Sequence, residues 1–253
     1  MAETGSQAQN QEKIVRRKKS DLTMKEWVRK YLPFLFDINS LFYYVCIIFV
    51  MGLLWAGYAF LNNKGAALYG WDYSSQYVSM SYNFWDTWHK FFRTGAFEFY
   101  STGTYLGTDN IGSNSYYGLF DPFLVVSFIF PRAWQPQLFV IMSIVKGICG
   151  ALALRAYLKY LGISERSARV GATAYAFCGY LNFMVGFPSF MSVSCTVPLV
   201  MLGVEKVLKE EKPAVLALSV FLLGIISFFF LVVVCVWGVL YAIWRYFWTI
   251  LLR

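Results

Sequence analysis

The chain has 253 residues, of which 58% are hydrophobic, 20% are aromatic and only 14% are charged. A soluble domain carries roughly 25% charged residues, so the chain has too few polar side chains to cover soluble domains. Uncharged apolar runs recur, and each is long enough to cross a bilayer. The composition therefore excludes a soluble globular protein and predicts an all-α polytopic membrane protein.

The formal net charge of +8 is concentrated at the start of the chain and beside the ends of the apolar runs. Residues 1–30 alone contain eight basic and four acidic side chains. Positive charge in such places sets the orientation of membrane helices and attracts anionic lipid headgroups. We therefore expect membrane lipids as partners, no nucleic acid, and a cytoplasmic N-terminus.

The cysteines and the single histidine give no metal-binding pattern. All five cysteines lie inside apolar segments without paired spacing, as expected of small buried hydrophobic residues. Because His89 is the only histidine, a cage of histidine ligands is not available. The glycine-rich stretches fit neither a phosphate-binding loop nor a dinucleotide fingerprint. We predict no metal site and no certain cofactor.

The first part of the chain is predicted to lead into the membrane from the cytoplasmic side. Residues 1–36 form a basic leader that ends in an amphipathic helix on the membrane surface, which Pro33 stops. Residues 37–61 contain the first span, and its clearest part is Leu41–Leu61.

Residues 62–134 are predicted to form a long external loop. The loop holds 21 aromatic residues among its 73, too many for a solvated linker. It is therefore expected to be structured and to lie at the membrane interface. Val78–Arg93 is aromatic and amphipathic, which favours an interfacial helix.

Residues 135–253 are predicted to contain about five further spans. Gln135–Leu158 returns to the cytoplasm, and two long uncharged runs follow, Val170–Val204 and Pro213–Trp244. Each run is too long for one ordinary span and short for two. Basic residues at both ends favour hairpins that turn near Gly186–Ser189 and Ser227–Phe230. One span in each run is the alternative; hairpins give six spans in total, with both termini inside.

The external loop contains the polar residues that could carry chemistry. Asp72 and Gln76 are four residues apart, so they would share one face of a helix. Asp72 could be a catalytic or binding group, or it could cap the helix that follows. Asp109 lies in a loop rich in glycine and asparagine, where an Asx turn competes with a catalytic role. Asp121–Pro122 reads as the start of the last external element.

Lys146 is a different case because it lies about eleven residues into the second span, close to the bilayer midplane at 1.5 Å per residue. A charge there is costly, so it is expected to pair inside the bundle or to contact a ligand. Few acids are expected nearby, since Asp37 and Glu205 should lie near the cytoplasmic surface. Lys146 is therefore predicted to face the interior below the Asp72 loop. Snorkelling along a lipid groove is the alternative.

The order of several short motifs resembles the bacterial YfhO membrane-protein family. In the loop they are Asp72, Gln76-Tyr77, Phe92-Arg93-Thr94-Gly95, Tyr105-Leu106-Gly107, Tyr116-Tyr117 and Asp121-Pro122-Phe123. Later come Lys146, Ala174-Tyr175-Ala176-Phe177 with Gly179, and Pro198-Leu199 leading to Gly203-Val204-Glu205-Lys206. The likeness covers residues 40–250 and corresponds to the amino-terminal part of the longer family members.

The resemblance implies a GT-C-like glycosyltransferase in the bacterial cytoplasmic membrane. Such an enzyme transfers a sugar from a polyprenyl-phosphate donor to an envelope polymer such as lipoteichoic acid. Carried over by position, Asp72 and Asp109 are the catalytic candidates. The substrate-binding candidates are Gln76, Arg93, Tyr116, Tyr117 and Lys146. The alternative is a non-catalytic membrane scaffold, or a truncated fragment, that binds lipid or envelope-assembly partners.

Overall fold

A computed structural model describes residues 43, 46–47, 49–50, 52–57, 61, 72–102 and 107–251. The predicted leader, most of the predicted first span, and the Tyr105-Leu106 motif lie outside the described residues. The chain divides into two units, Met1–Ile47 and Ile48–Arg253, and all elements below belong to the second. The first of these elements is a short π-helical turn at Leu53–Gly57.

The predicted external loop is folded into short elements around one long helix. A π-helical turn, Tyr73–Tyr77, leads into helix α1, Val78–Thr94, which ends at Gly95 in a left-handed conformation with φ 72°. The helix predicted at Val78–Arg93 is thereby confirmed, whereas its place at the membrane interface stays a prediction. After α1 come strand β1 (Tyr100–Ser101), its antiparallel partner β2 (Thr108–Asp109), helix α2 (Asn110–Asn114), a 3-10 turn (Ser115–Tyr117), helix α3 (Pro122–Ser127) and a second 3-10 turn (Arg132–Trp134).

The aromatic residues of this segment form a hydrophobic core of their own. Its buried members are Tyr77, Phe84, Leu119, Leu124 and Phe128. Trp88 packs against this core and donates an indole hydrogen bond to the carbonyl of Leu119 over 2.9 Å. Each large side chain removed from water contributes about 1.5–3 kcal/mol. The high aromatic content therefore reflects packing within the segment.

The rest of the chain is a helical bundle. Its elements are α4 (Gln135–Tyr160), α5 (Glu165–Ala176), α6 (Gly179–Met184), α7 (Pro188–Met191), α8 (Val193–Leu208), α9 (Ala214–Ile226) and α10 (Phe228–Leu251). Helix α8 lies at the centre of the bundle and packs against α4, α9 and α10. It approaches α9 so closely that a Cβ on Gly203 would come within 2.6 Å of the Leu216 Cα.

Three helical stretches in the described residues are long and apolar enough to cross a membrane: Ile141–Tyr160, Pro188–Leu208 and Phe228–Trp248. Helix breaks lie at both predicted turns, since α6 ends before Pro188 and α9 ends before Ser227, whereas the hairpins themselves stay predictions. The first arm of each predicted hairpin is nevertheless too short for a full span. Helix α9 has 13 residues and spans about 20 Å, against a hydrocarbon core of about 30 Å.

In the run Val170–Val204, the first predicted arm is interrupted at Phe177–Cys178, between α5 and α6. The described residues therefore support an all-α membrane protein with three candidate spans. The six-span arrangement is not reproduced in them, because a long uncharged run can fold as a short helix followed by a long one.

Candidate functional site

A buried ion pair lies at the centre of the described structure. The Nζ atom of Lys146 lies 2.9 Å from Oδ2 of Asp121, and both side chains are 0% exposed. Lys146 also donates to the carbonyl oxygen of Pro188 over 2.7 Å. On the other side of the pair, the Ser192 hydroxyl donates to the same carboxylate oxygen of Asp121. The two charges are thus neutralised and hydrogen-bonded away from water, as buried charges require.

Local sequence explains how these residues reach each other. Asp121 is the N-cap of α3, where its Oδ1 accepts the Phe123 amide over 3.0 Å and Pro122 occupies the first turn. The prediction that Asp121–Pro122 starts an element is therefore confirmed. The same carboxylate uses its other oxygen to hold Lys146. Asp121 thus ties the segment before α4 to α4 itself and, through Lys146 and Pro188, to α7.

The interior location predicted for Lys146 is confirmed. Few acids are expected within the spans, and its partner Asp121 comes instead from the element start predicted at Asp121–Pro122, which the fold brings against the middle of α4. Glu205, expected near the cytoplasmic surface, is only 2% exposed and binds Arg245 and Tyr241. Because the Lys146 ammonium is paired with Asp121 and bound to the Pro188 carbonyl, its charge is already compensated by protein groups.

Tyr77 connects the surroundings of the ion pair to Tyr117, one of the predicted substrate-binding residues. Its hydroxyl is 3.0 Å from the Ser189 hydroxyl, which lies one residue after the Pro188 carbonyl that binds Lys146. The Tyr77 ring meets the ring of Tyr117 edge-on, with 5.9 Å between centroids. Tyr77 therefore joins the segment before α4 to α7, which contains Ser189.

The pKa of Tyr77 depends on its burial and on several of the predicted site residues. Burial is the main cause that raises the pKa of the Tyr77 phenol, against the lowering effect of its hydrogen bond with Ser189. The neighbouring Tyr117, Tyr116 and Asp72 raise that pKa further. Of these residues, Tyr117 packs against the Tyr77 ring, and Asp72 precedes Tyr77 by five residues in the chain.

Asp72 and Gln76 share a helical face as predicted. The Gln76 amide nitrogen donates to Asp72 Oδ1 over 3.4 Å, a long hydrogen bond between partly buried side chains. Such a weak contact holds the carboxylate in place without neutralising it.

The second aromatic group surrounds Tyr116. Its ring is 5.1 Å from that of Tyr117, 5.2 Å from that of Phe190 and 6.0 Å from that of Phe229. Phe190 belongs to α7 and Phe229 to the first turn of α10, so the 3-10 turn Ser115–Tyr117 packs against both helix breaks. The structure thus clusters aromatic rings around Tyr116 at these breaks.

Two predicted residues lie elsewhere. Arg93 is exposed in the last turn of α1, sixteen residues after Tyr77, which corresponds to about 24 Å along a helix. Asp109 caps α2, where its carboxylate oxygens accept the amides of Ile111 over 3.1 Å and Gly112 over 2.8 Å. The structure therefore brings together Asp72, Gln76 and the tyrosine pair, and it gives Asp109 the alternative turn-forming role.

Several residues of this arrangement have no signal of their own in the sequence. Ser189, Ser192 and Phe190 lie in a run that reads as a simple membrane hairpin. Tyr77 stands out in the sequence only as part of the Gln76-Tyr77 motif, and its partner Ser189 lies 112 residues further along the chain. A polar residue next to a proline inside an apolar run is the one hint that the sequence offers. Within the residues that the structure describes, no three His, Cys, Asp or Glu side chains form a group that could hold a metal ion.

Comparison with known proteins agrees with the resemblance seen in the motifs. The profile of a family described as bacterial membrane protein YfhO matches residues 39–253. No curated protein and no solved structure matches the chain. The matched region contains every described element of the second unit, including the ion pair, the Asp72–Gln76 contact and both aromatic groups. The chain belongs to the YfhO family of bacterial membrane proteins.

Proposed function

We propose that this chain carries the active site of a GT-C-like membrane glycosyltransferase, with Asp72 as the general base. The donor is a sugar linked to a polyprenyl phosphate, and the acceptor is a hydroxyl of an envelope polymer such as lipoteichoic acid. The observation that carries the proposal is the state of Asp72. It is a partly exposed carboxylate beside clustered aromatic rings, with one long hydrogen bond from Gln76.

The other acids of residues 62–134 already have structural partners. Asp121 binds Lys146, Asp109 caps α2, Asp86 binds Arg132 over 2.9 Å and Glu98 binds Lys90 over 3.0 Å. A general base must have a free lone pair within hydrogen-bond reach of the hydroxyl that it deprotonates. Among these five acids, Asp72 fits that requirement best.

The proposed reaction is a single inverting displacement. Asp72 accepts the proton of the acceptor hydroxyl while the hydroxyl oxygen forms a bond to the anomeric carbon of the donor sugar. The bond between that carbon and the phosphate oxygen breaks, and the polyprenyl phosphate leaves with the electron pair. The faces of Tyr116 and Tyr117 offer flat apolar surfaces on which a sugar ring can lie. Gln76 keeps the Asp72 carboxylate oriented.

The proposal includes an orientation in the bacterial cytoplasmic membrane. Lys206 lies in the last turn of α8, and Lys209 and Lys212 follow the helix. These lysines would lie in the cytoplasm under the positive-inside tendency, together with the N-terminus. The Asp72 region lies in the segment before α4 and would then face outward. The lipid-linked sugar and the envelope polymer would meet there.

The test is a pair of carboxylate-to-amide variants, Asp72→Asn and Asp109→Asn, assayed for sugar transfer in lipid nanodiscs with a labelled polyprenyl-phosphate sugar. Loss of a general base lowers the rate by about 10²–10⁴-fold, so Asp72→Asn should lose transfer. Asp109→Asn should retain it, because asparagine caps a helix as well as aspartate does.

Near-normal transfer by Asp72→Asn, at wild-type expression and thermal stability, would remove Asp72 from the mechanism. Loss of transfer in Asp109→Asn alone would assign the base to Asp109. Absence of transfer in the wild type, with lipid binding intact, would favour the scaffold alternative.

A further inference from the structure

The break between α9 and α10 contains a buried polar group without a partner. Ser227 has an extended backbone, with φ −162° and ψ 113°, and is 0% exposed. Its hydroxyl has no hydrogen-bond partner among the described residues. An unsatisfied buried hydroxyl is costly, so a native structure that keeps one calls for an explanation.

Ser227 is also the N-cap of the long apolar helix α10. Its carbonyl accepts the amide of Leu231 over 3.0 Å, the first bond within α10. Helix α10 runs for 24 residues from Phe228. The first amides of a helix have no partner inside it, and they form the positive end of the helix dipole. A serine N-cap commonly accepts one of these amides, but the Ser227 hydroxyl does not.

The surroundings of this helix start are aromatic and apolar. Tyr116 packs against Phe228 and Phe229, with ring centroids 6.5 Å and 6.0 Å apart. Phe228 and Phe229 are 54% and 49% exposed, so they offer free apolar surface beside the helix start. A ligand that fits both features has an anionic head and a long hydrocarbon tail.

The nearest buried cation is not available for that anionic head. Lys146 is fully buried, and its ammonium binds Asp121 and the Pro188 carbonyl. A phosphate placed near Tyr116 would therefore depend on neutral donors, namely helix amides and hydroxyls. Helix starts at broken membrane helices bind anions in this way.

We propose that the start of α10, with the Ser227 hydroxyl as a donor, binds the phosphate group of the polyprenyl-phosphate lipid while Phe228, Phe229 and Tyr116 hold the first part of its tail. This inference rests on the proposed function, because it takes the donor class from there. Since Ser227 is buried, the side chains around its hydroxyl must move when the phosphate enters.

The experiment compares Ser227→Ala with the matched variant Ser219→Ala in nanodiscs. Ser219 is also a buried serine of this hairpin, but its hydroxyl donates to the Leu216 carbonyl over 3.0 Å. The probes are polyprenyl phosphate, the corresponding polyprenol, phosphatidylglycerol and inorganic phosphate, and binding is measured by native mass spectrometry. Melting temperature is measured for each variant.

Ser227→Ala is expected to weaken polyprenyl-phosphate binding about tenfold, the effect of one hydrogen bond to a charged group. It should leave polyprenol and phosphatidylglycerol binding unchanged and should keep or raise the melting temperature, because an unpaired hydroxyl is removed. Ser219→Ala should keep the binding of all four probes. Binding and stability therefore change in opposite directions only if Ser227 serves a ligand.

Unchanged polyprenyl-phosphate binding in Ser227→Ala would overturn the inference, as would an equal loss for polyprenol. Ser227-dependent binding of inorganic phosphate without the lipid would refute the lipid as ligand. Asp72→Asn should retain polyprenyl-phosphate binding while losing transfer. If Ser227→Ala does not change lipid binding, the transfer assay of Asp72→Asn still tests the proposed base. If Asp72→Asn keeps transfer, the lipid-binding comparison of Ser227→Ala and Ser219→Ala can still be interpreted.

Discussion

Replacing Lys146 by methionine would remove the ammonium of the buried pair and keep most of the side-chain volume. The Asp121 carboxylate would then retain the Ser192 hydroxyl and the Phe123 amide as donors but would have no counter-ion in a fully buried position. Breaking a buried pair in this way costs about 3–5 kcal/mol, since an uncompensated charge is left behind. We expect the free energy of unfolding to fall by that amount.

A second variant separates the loss of the pair from the loss of packing. In Lys146→Met combined with Asp121→Asn, no charge is buried, and asparagine can still cap α3 and accept the Ser192 hydroxyl. The double variant should therefore recover at least half of the lost stability. Asp121→Asn alone should be destabilised, because it leaves the Lys146 ammonium without a carboxylate.

The assay is denaturant unfolding in detergent, followed by the fluorescence of the tryptophans. Arg132→Gln is a useful control because it breaks the Asp86–Arg132 pair, whose side chains are about half exposed. Such surface pairs contribute only about 0–1 kcal/mol. Two results would refute a major contribution of the Lys146–Asp121 pair to stability. One is that Lys146→Met is no more destabilised than Arg132→Gln, and the other is that the double variant is the least stable of the set.

Two further predictions concern helix packing and pH. Gly203→Ala should lower stability by about 1–3 kcal/mol, because its Cβ would meet the backbone of α9 at 2.6 Å, whereas Gly224→Ala, with its nearest neighbour at 3.6 Å, should change the melting temperature little. Glu165 is partly buried, which would raise its pKa, yet hydrogen bonds from Arg155 and Arg169 lower it below the usual value. The stability from this group is therefore present above the ordinary glutamate pKa of about 4.3 and is lost as the pH falls below it. Melting curves from pH 7 to pH 3 should show a shallower acid loss in Glu165→Gln, and an unchanged slope would contradict this assignment.

Features that depend on neighbouring residues were predictable from the sequence. The helix at Val78–Thr94 follows from its amphipathic pattern, and the cap at Asp121 follows from an aspartate before a proline and an apolar run. The helix breaks near Pro188 and Ser227 follow from the excess length of the uncharged runs. In each case the physical cause lies within a few residues of the feature.

Features that depend on distant residues were not predictable. Lys146 and Asp121 are 25 residues apart, and Tyr77 and Ser189 are 112 residues apart. A single sequence shows that a mid-span lysine needs a partner, but several acids satisfy that need equally well before the fold is known. The capping role of Asp121 also concealed its second role, because a carboxylate has two oxygens and the local pattern accounts for only one.

The described bundle uses its buried charges in pairs and leaves only a neutral group unpaired. Lys146 is neutralised by Asp121, and Glu205 is neutralised by Arg245. An uncompensated buried charge costs several kcal/mol, whereas an unpaired hydroxyl such as that of Ser227 costs about 1–3 kcal/mol. An anion site that must persist without its ligand inside a membrane is therefore cheaper to build from a helix start and a hydroxyl than from a lysine. This difference is the reason why we propose the start of α10, and not the buried Lys146, as the place for a phosphate.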